Sequence, residues 1–144
     1  EHKTVFAGTD GGGVYRTTDN GTAWIQLRNG LTSADVLSLA IDRNGITYAG
    51  TRGGGLFCSD NNGNQWRAVN RGMKANTVYS LAADAWGNVF VGTEIGVYYL
   101  SMDSGEWIAR HKAVTSRAIL SLVVKNRSTA FAGTNGAGIF TLVQ

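Results

Sequence analysis

One tetrapeptide returns along this chain at nearly constant spacing, and this repeat limits the possible folds more than any other feature. Each copy reads aromatic, small residue, Gly, Thr, and successive copies lie 42, 42 and 41 residues apart. The four glycines are Gly8, Gly50, Gly92 and Gly133. A second marker, aliphatic-x-Ser-Leu, keeps the same step at residues 36–39, 78–81 and 119–122. Two markers with one period indicate a tandem array of a single structural unit.

Each unit contains four short runs with the composition of β-strands. In the second unit the runs are residues 36–41, 46–51, 56–59 and 66–70. They are rich in β-branched, aromatic and aliphatic residues and are bounded by Gly, Asn and Asp. No window shows the three-and-four apolar spacing of a helix. Four strands in about 42 residues is typical of a β-propeller blade, so we predict an all-β fold of four-stranded antiparallel blades.

The chain holds about 3.4 of these units, fewer than the roughly 4 to 8 blades of a closed propeller. We divide it into a partial blade at 1–35, blades at 36–77 and 78–118, and a partial blade at 119–144. This count predicts an incomplete ring or part of a larger one. Self-association or the remainder of a longer chain would complete it, and two copies would supply strands for about seven blades.

A single small sheet cannot bury both of its faces, so stacking of the units is expected to form the core. The repeated glycines would let neighbouring backbones pass closely. The residues expected between neighbouring blades are Phe6, Leu37, Leu39, Tyr48, Phe90 and Phe131.

A turn motif follows the third run of each unit and reads Ser/Thr-x-Asp-x-Gly-x-x-Trp. Residues 17–24 match it fully, residues 59–66 carry Asn61 in place of the Asp, and residues 101–107 are one residue short before the Trp. These turns resemble the Asp-box, or bacterial neuraminidase repeat, of sialidases, sortilin-type receptors and bacterial propellers. The motif positions are Thr17, Asp19, Gly21, Trp24, Ser59, Asn61, Gly63, Trp66, Ser101, Asp103, Gly105 and Trp107.

Each motif position has a structural task. The Asp19 carboxylate can accept hydrogen bonds from backbone N–H groups of its own turn. Gly21 supplies a backbone angle that other residues resist. Trp24 is expected to bury its ring and to donate its indole N–H back to the turn. The resemblance implies that such turns lie away from any active site, so we expect them to stabilise the fold.

Metal, nucleic-acid and membrane binding are not expected. The sequence from Asp60 imitates the start of an EF-hand loop, but Gln65 and Arg71 stand where that loop needs Gly and Glu. With 13 basic and 10 acidic residues the net charge is only +3, without the basic cluster that nucleic acid requires. No apolar run approaches the ~18 residues of a membrane span. We predict neither metal nor cofactor, and a structural role for the single cysteine, Cys58.

Catalysis by this chain is not expected either. The sialidase resemblance implies a Phe/Tyr-Arg-Ile-Pro motif, which a chain without proline cannot contain. Glycosidases otherwise need two facing carboxylates. Glu94 and Asp10 are the only acidic residues in the loops between second and third strands.

Comparison of the repeats indicates a candidate binding surface. The residue after the repeated Thr changes chemistry in every copy: Asp10, Arg52, Glu94 and Asn135. In propellers these loops share one face around the central channel. We treat these residues, with the turn residue Trp86, as a candidate contact ring; drift of exposed loop residues is the alternative.

The sequence therefore favours a non-catalytic binding or scaffold module with a glycan or protein ligand. One alternative is a piece of a glycan-active propeller, similar to a sialidase or xyloglucanase, with its catalytic residues elsewhere. Another is the sensor propeller of a signalling receptor. The resemblance implies an extracellular or periplasmic location.

Overall fold

The computed structural model describes residues 3–100, 104–110, 117–126 and 129–143. These residues form 14 strands in four antiparallel sheets, without a helix. The sheets have the build of propeller blades, which confirms the predicted all-β propeller fold. The first and last sheets have three strands in the described residues, and the two middle sheets have four.

Strand order in every sheet follows chain order. The first sheet contains β1 (Val5–Thr9), β2 (Gly13–Thr17) and β3 (Ile25–Leu27). The second contains β4 (Val36–Ile41), β5 (Thr47–Thr51), β6 (Gly55–Ser59) and β7 (Arg67–Ala68). The third contains β8 (Val78–Ala83), β9 (Val89–Thr93), β10 (Gly96–Leu100) and β11 (Trp107–Arg110). The fourth contains β12 (Ile119–Asn126), β13 (Thr129–Thr134) and β14 (Ile139–Val143).

The aliphatic-x-Ser-Leu marker encodes a bulge in the first strand of the last three sheets. The pairing register shifts between Val36 and Ser38, and again at the equivalent positions of β8 and β12. A bulge of this kind bends the strand and increases its local twist. The repeated serine therefore marks the same bulge in each of the last three sheets.

Apolar side chains between successive sheets form the core. Val14, Phe57 and Trp66 belong to the cluster between the first and second sheets. Equivalent clusters join the second sheet to the third and the third to the fourth. Because side chains alternate between the two faces of a strand, each middle sheet contributes to two clusters. Tyr48 and Phe90 are buried as predicted, whereas Phe6, Leu37, Leu39 and Phe131 are only partly buried.

The repeated glycines lie where one sheet meets the next. A methyl group on Gly92 would stand 2.7 Å from Cγ2 and 2.9 Å from Cβ of Ile119, at the start of the following sheet. Real Cβ atoms do not approach other atoms so closely. Gly50 faces Val78 in the same way. At Gly133, the same position of the last sheet, only Ser121 of its own sheet lies nearby.

The two outer faces of the array are uncovered in the described chain. Trp66 is 3% exposed and Trp107 is also buried, but Trp24 at the same repeat position is 44% exposed. The predicted burial of Trp24 is therefore wrong for this array. The reason is that the rings of Trp66 and Trp107 pack on the preceding sheet, and no sheet precedes the first one among the described residues.

Candidate functional site

The turn at residues 17–24 is held by a compact hydrogen-bond network. Thr17 Oγ1 donates to Asp19 Oδ1 at 2.7 Å and accepts from Gly21 N at 3.0 Å. Asp19 Oδ1 also accepts from Ala23 N at 3.0 Å. The Ala23 N–H and then the Thr17 hydroxyl lower the pKa of Asp19, because both stabilise its charged form. The Asp19 carboxylate therefore makes these hydrogen bonds within its own turn.

The second turn repeats this network with a neutral side chain. Ser59 Oγ donates to Asn61 Oδ1 at 2.9 Å, and Gly63 N donates to Ser59 Oγ at 2.9 Å. Gln65 N donates to Asn61 Oδ1 at 3.0 Å. The amide oxygen of Asn61 thus accepts the same bonds as the carboxylate of Asp19. The turn needs an acceptor at this position and does not need a charge.

The tryptophans that end these turns connect neighbouring units. Trp66 N donates to Asn29 O at 2.8 Å, and Trp107 N donates to Arg71 O at 3.0 Å. The indole N–H of Trp107 donates to Val69 O at 2.6 Å. The acceptor belongs to the preceding unit, whereas an acceptor in its own turn is expected for the indole of Trp24 at the same repeat position. Ser101 and Asp103 lie outside the described residues.

Two glycines before the connecting segments permit these contacts, and the sequence analysis missed them. Gly30 and Gly72 have φ of 81° and 87°, and each lies against the backbone of the tryptophan in the next unit. The available signal was an Asn-Gly-Leu and an Arg-Gly-Met sequence at the same place in two units.

The segment that imitates an EF-hand loop binds an arginine of the first sheet. Arg16 Nη1 donates to Asn62 O at 2.6 Å and to Asn64 Oδ1 at 3.3 Å. One side-chain oxygen that an EF-hand would offer to calcium, Asn64 Oδ1, therefore faces a guanidinium group. Among the described residues, no group of three His, Cys, Asp or Glu side chains could hold a metal.

Four members of the candidate contact ring lie at one edge of the sheets, which we call the loop edge. It consists of the loops after β1, β5, β9 and β13, the segments before β4 and β8, and residues 117–118 before β12. Each variable residue directly follows one of these strands: Asp10, Arg52, Glu94 and Asn135. The loop edge therefore brings these residues together on one side of the array.

Two of the four side chains contact the segment that leads into the first strand of their own sheet. Glu94 Oε1 accepts from Asn76 N at 2.8 Å, and its Oε2 accepts from Thr77 N at 3.1 Å. Arg52 Nε lies 3.9 Å from Asp35 Oδ2, in an exposed ion pair. Glu94 thus fixes the segment before β8, a role that the sequence did not reveal. Asp10 and Asn135 are exposed.

Trp86 does not lie with the other four. Its backbone N donates to Asp84 Oδ1 at 2.8 Å in the turn between β8 and β9. β9 runs from that turn to Glu94, so Trp86 lies roughly 17 Å away at the opposite edge. We call this opposite side the turn edge. Asp42 forms the same turn in the second sheet, and an Asp-x-x-Gly pattern marks both.

A cavity of about 440 Å³ opens between the second and third sheets, lined by Tyr48, Cys58, Arg67 and Trp107 among others. Cys58 replaces the long Arg16 of the first sheet at the same repeat position. Burial raises the pKa of the Cys58 thiol. Burial, followed by the Asp42 carboxylate, raises the pKa of Tyr48 to about 12. Neither group is ionised near neutral pH, and Leu100 and Gly105 also line the cavity.

Comparison with protein-family models and with curated sequences finds no match. Solved structures do match. The extracellular domain of BT4673 from B. thetaiotaomicron, described as a hybrid two-component system, aligns at 21% identity and a TM-score of 0.81 over 98% of this chain. The GH74 enzyme of Niastella koreensis aligns at 23% identity and a TM-score of 0.73, also over 98%. YCF48 bound to D1 peptide aligns at 17% identity and a TM-score of 0.70 over 100%.

These proteins are β-propellers, so the class of the chain is a propeller array. The chain spans only 20% of the length of the BT4673 domain, 26% of the GH74 enzyme and 47% of YCF48. At such identities the likeness shows the fold alone. In the described residues no helix is long and apolar enough to cross a membrane.

Proposed function

We propose that this chain is a non-catalytic recognition module that binds a polar ligand, a glycan or a peptide, across the loop edge. The observation that carries the proposal is an edge along which backbone hydrogen bonds tie each sheet to the segment that leads into the next sheet. Gly13 N donates to Ala34 O at 2.8 Å, from the first unit to the segment before β4. Gly55 N donates to Asn76 O at 2.7 Å, from β6 of the second sheet to the segment before β8 of the third. A preorganised surface loses less free energy on binding.

Polar side chains on this edge vary while the backbone beneath them repeats. Asp10, Arg52 and Asn135 are exposed and carry negative, positive and neutral groups. They can offer both acceptors and donors to one extended ligand. Glu94 supports the edge by its bonds to Asn76 and Thr77. Scaffolding of this kind is consistent with a binding surface built on repeated elements.

The carboxylates argue for binding over hydrolysis. Glycosidases need two carboxyl groups facing one site. Asp19 serves its own turn, Glu94 holds a backbone segment, and Glu106 pairs with Arg71 at 2.7 Å. Asp42 and Asp84 each accept bonds within a hairpin turn. The described acids are thus largely engaged in structural contacts.

We further propose that the 17–24 and 59–66 turns are Asp-boxes with a stabilising role. Their shared Ser/Thr–acceptor–Gly network supports this identification. An extracellular or periplasmic location fits the likeness to the extracellular domain of BT4673. The same likeness favours a sensor propeller as a second candidate function, and the GH74 likeness favours a glycan-active propeller whose catalytic residues lie elsewhere.

A binding measurement tests the loop edge directly. Once a glycan or peptide array yields a ligand, Arg52→Ala is expected to weaken its binding about tenfold or more, since a charged hydrogen bond is lost. Arg43→Ala is the matched control, because Arg43 is an exposed arginine in the turn edge of the same sheet. Titration calorimetry gives both affinities. Equal losses, or a loss only in Arg43→Ala, would contradict the proposed surface.

Absence of hydrolysis is the second expectation. The chain is expected to release no product from sialyl, glucosyl or xyloglucan substrates, because most of its described acids are engaged in turns, backbone contacts and ion pairs. A fluorogenic assay measures this, with Glu94→Gln as the companion variant. Turnover by the unaltered chain that Glu94→Gln abolishes would show an active site and overturn the proposal.

A further inference from the structure

The cavity between the second and third sheets, which we call the intersheet cavity, occupies a place that is filled between the first and second sheets. There Arg16 reaches from the first sheet to the turn of the second, and its Nη1 donates to Asn62 O at 2.6 Å and to Asn64 Oδ1 at 3.3 Å. Cys58 stands at the Arg16 position of the second sheet and lines the cavity of about 440 Å³. A thiol is much shorter than an arginine side chain, so this interface lacks the side chain that fills the other one.

The glycine of the turn shows the same difference in packing. A methyl group built on Gly63 would stand 2.6 Å from Cδ1 of Leu27 and 3.2 Å from Cε1 of Phe6, so the first sheet fits tightly against this turn. Gly105 holds the same motif position in the third sheet, and no described residue lies within 4 Å of a methyl group built there. The second sheet therefore leaves open space beside the turn of the third sheet.

Two rows of paired residues form the walls of the intersheet cavity. In the second sheet Tyr48 pairs with Cys58, which pairs with Arg67. In the third sheet Leu100 pairs with Trp107. Directly paired residues carry their side chains on the same face of a sheet, roughly 5 Å apart. All five side chains line the cavity, so its walls belong to regular strands of two neighbouring sheets.

Most of this lining is apolar. Ile46 and Val69 lie beside the rings of Tyr48 and Trp107. The polar hydrogens of both rings are already used, because the Trp107 indole N–H donates to Val69 O at 2.6 Å and the Tyr48 hydroxyl is hydrogen-bonded to Asp42. A volume of about 440 Å³ lies within the roughly 300–1,000 Å³ of small-molecule sites. The cavity therefore suits a small ligand with an apolar body.

Arg67 supplies a positive charge to this apolar cavity. Arg71 also lines it but is paired with Glu106 at 2.7 Å, whereas Arg67 makes neither a hydrogen bond nor an ion pair with a described residue. Burial raises the pKa of the Cys58 thiol, and the positive charge of Arg67 opposes this rise, so the guanidinium group acts on the cavity. Ile25 stands at the Arg67 position in the first sheet, so the free charge is particular to this interface.

We infer that the intersheet cavity binds a small amphipathic monoanion, an aromatic or aliphatic body that carries one carboxylate or sulfonate. The body lies against Tyr48 and Trp107, and the anionic group faces Arg67, whose planar guanidinium can bind a carboxylate through two parallel hydrogen bonds. Ile46 directly precedes β5 and Leu100 ends β10, so the cavity lies toward the turn edge. The site is therefore separate from the loop edge and does not rest on the proposed function.

Titration with β-naphthoate, followed by the indole N–H signals in a two-dimensional proton–nitrogen NMR spectrum, tests the site. The chain has four tryptophans, and each reports on a different place. We expect a saturable shift of the Trp107 signal, with the signals of Trp24 and Trp86 unchanged. β-Naphthamide, a neutral molecule of nearly the same shape, should bind about tenfold more weakly, because it lacks the charged hydrogen bond to Arg67.

Arg67→Gln is the decisive variant, since Arg67 is exposed and its replacement leaves the core intact. It should weaken binding of β-naphthoate about tenfold and leave binding of β-naphthamide unchanged. Arg43→Gln is the matched control, an exposed arginine of the same sheet outside the cavity lining, and should bind both probes like the unaltered chain. Cys58→Phe places a ring in the cavity and should weaken both probes about tenfold, with circular dichroism as the check of folding.

Three results would overturn the inference. The first is no shift of the Trp107 signal at millimolar β-naphthoate. The second is a shift confined to Trp24 or Trp86, because the probe would then occupy an exposed surface. The third is equal affinity of Arg67→Gln and the unaltered chain for β-naphthoate, which holds even where Cys58→Phe does not fold. None of these variants alters the loop edge, so their outcome is independent of the result for Arg52→Ala.

Discussion

Replacement of Trp66 by alanine is expected to lower the free energy of unfolding by about 3–5 kcal/mol, the usual cost of truncating a buried large aromatic residue. Trp66 is 3% exposed and packs in the cluster with Val14 and Phe57. Its indole nitrogen is buried and has no hydrogen-bond partner among the described residues, so packing supplies its contribution. Urea denaturation followed by circular dichroism measures the effect.

Trp24→Ala is the matched control, since it removes the same side chain from the same repeat position. It is expected to cost about 1 kcal/mol or less in the monomer, because Trp24 is 44% exposed. The comparison is made at protein concentrations below those that favour association. Equal costs for the two variants would contradict the described packing, since they would require Trp24 to be as well covered as Trp66.

Gly92→Ala is expected to destabilise the chain by about 2–3 kcal/mol, the upper part of the range for overpacked cores. The added methyl group would overlap Ile119 at the start of the fourth sheet. Neither backbone can retreat without disturbing the contact between the third and fourth sheets. The midpoint of urea denaturation should fall accordingly, and the loss should be similar for Gly50→Ala at Val78.

Gly133→Ala provides the control for this effect. The added methyl group would meet only the Ser121 side chain, whose hydroxyl can rotate away. The reduced freedom of the unfolded chain then favours folding, so the variant should be neutral or stabilised by up to about 1 kcal/mol. A large loss in Gly133→Ala, with none in Gly92→Ala, would show that the glycines serve a purpose other than sheet stacking.

Much of the local structure was predictable because it depends on short-range patterns. The run predicted at 36–41 is β4, and the run predicted at 46–51 is β5 shortened by one residue. The repeated Gly, Asn and Asp residues predict where each strand ends. The β-branched, aromatic and aliphatic residues between them predict that the intervening run is a strand. The candidate site was less predictable. Glu94 accepts hydrogen bonds from two backbone N–H groups, and Trp86 lies away from the loop edge. Both facts depend on how the strands align.

The sequence by itself determined the unit: four strands, their turns and one repeated glycine in the second strand. Only the tertiary structure decided which copies of a position are buried. Val14 and Ile139 occupy equivalent places in their sheets, as do Trp66 and Trp24, yet one member of each pair is buried and the other exposed. The physical reason is that a repeat specifies its own hydrogen bonds locally, whereas the burial of its faces depends on the sheet that lies beside it.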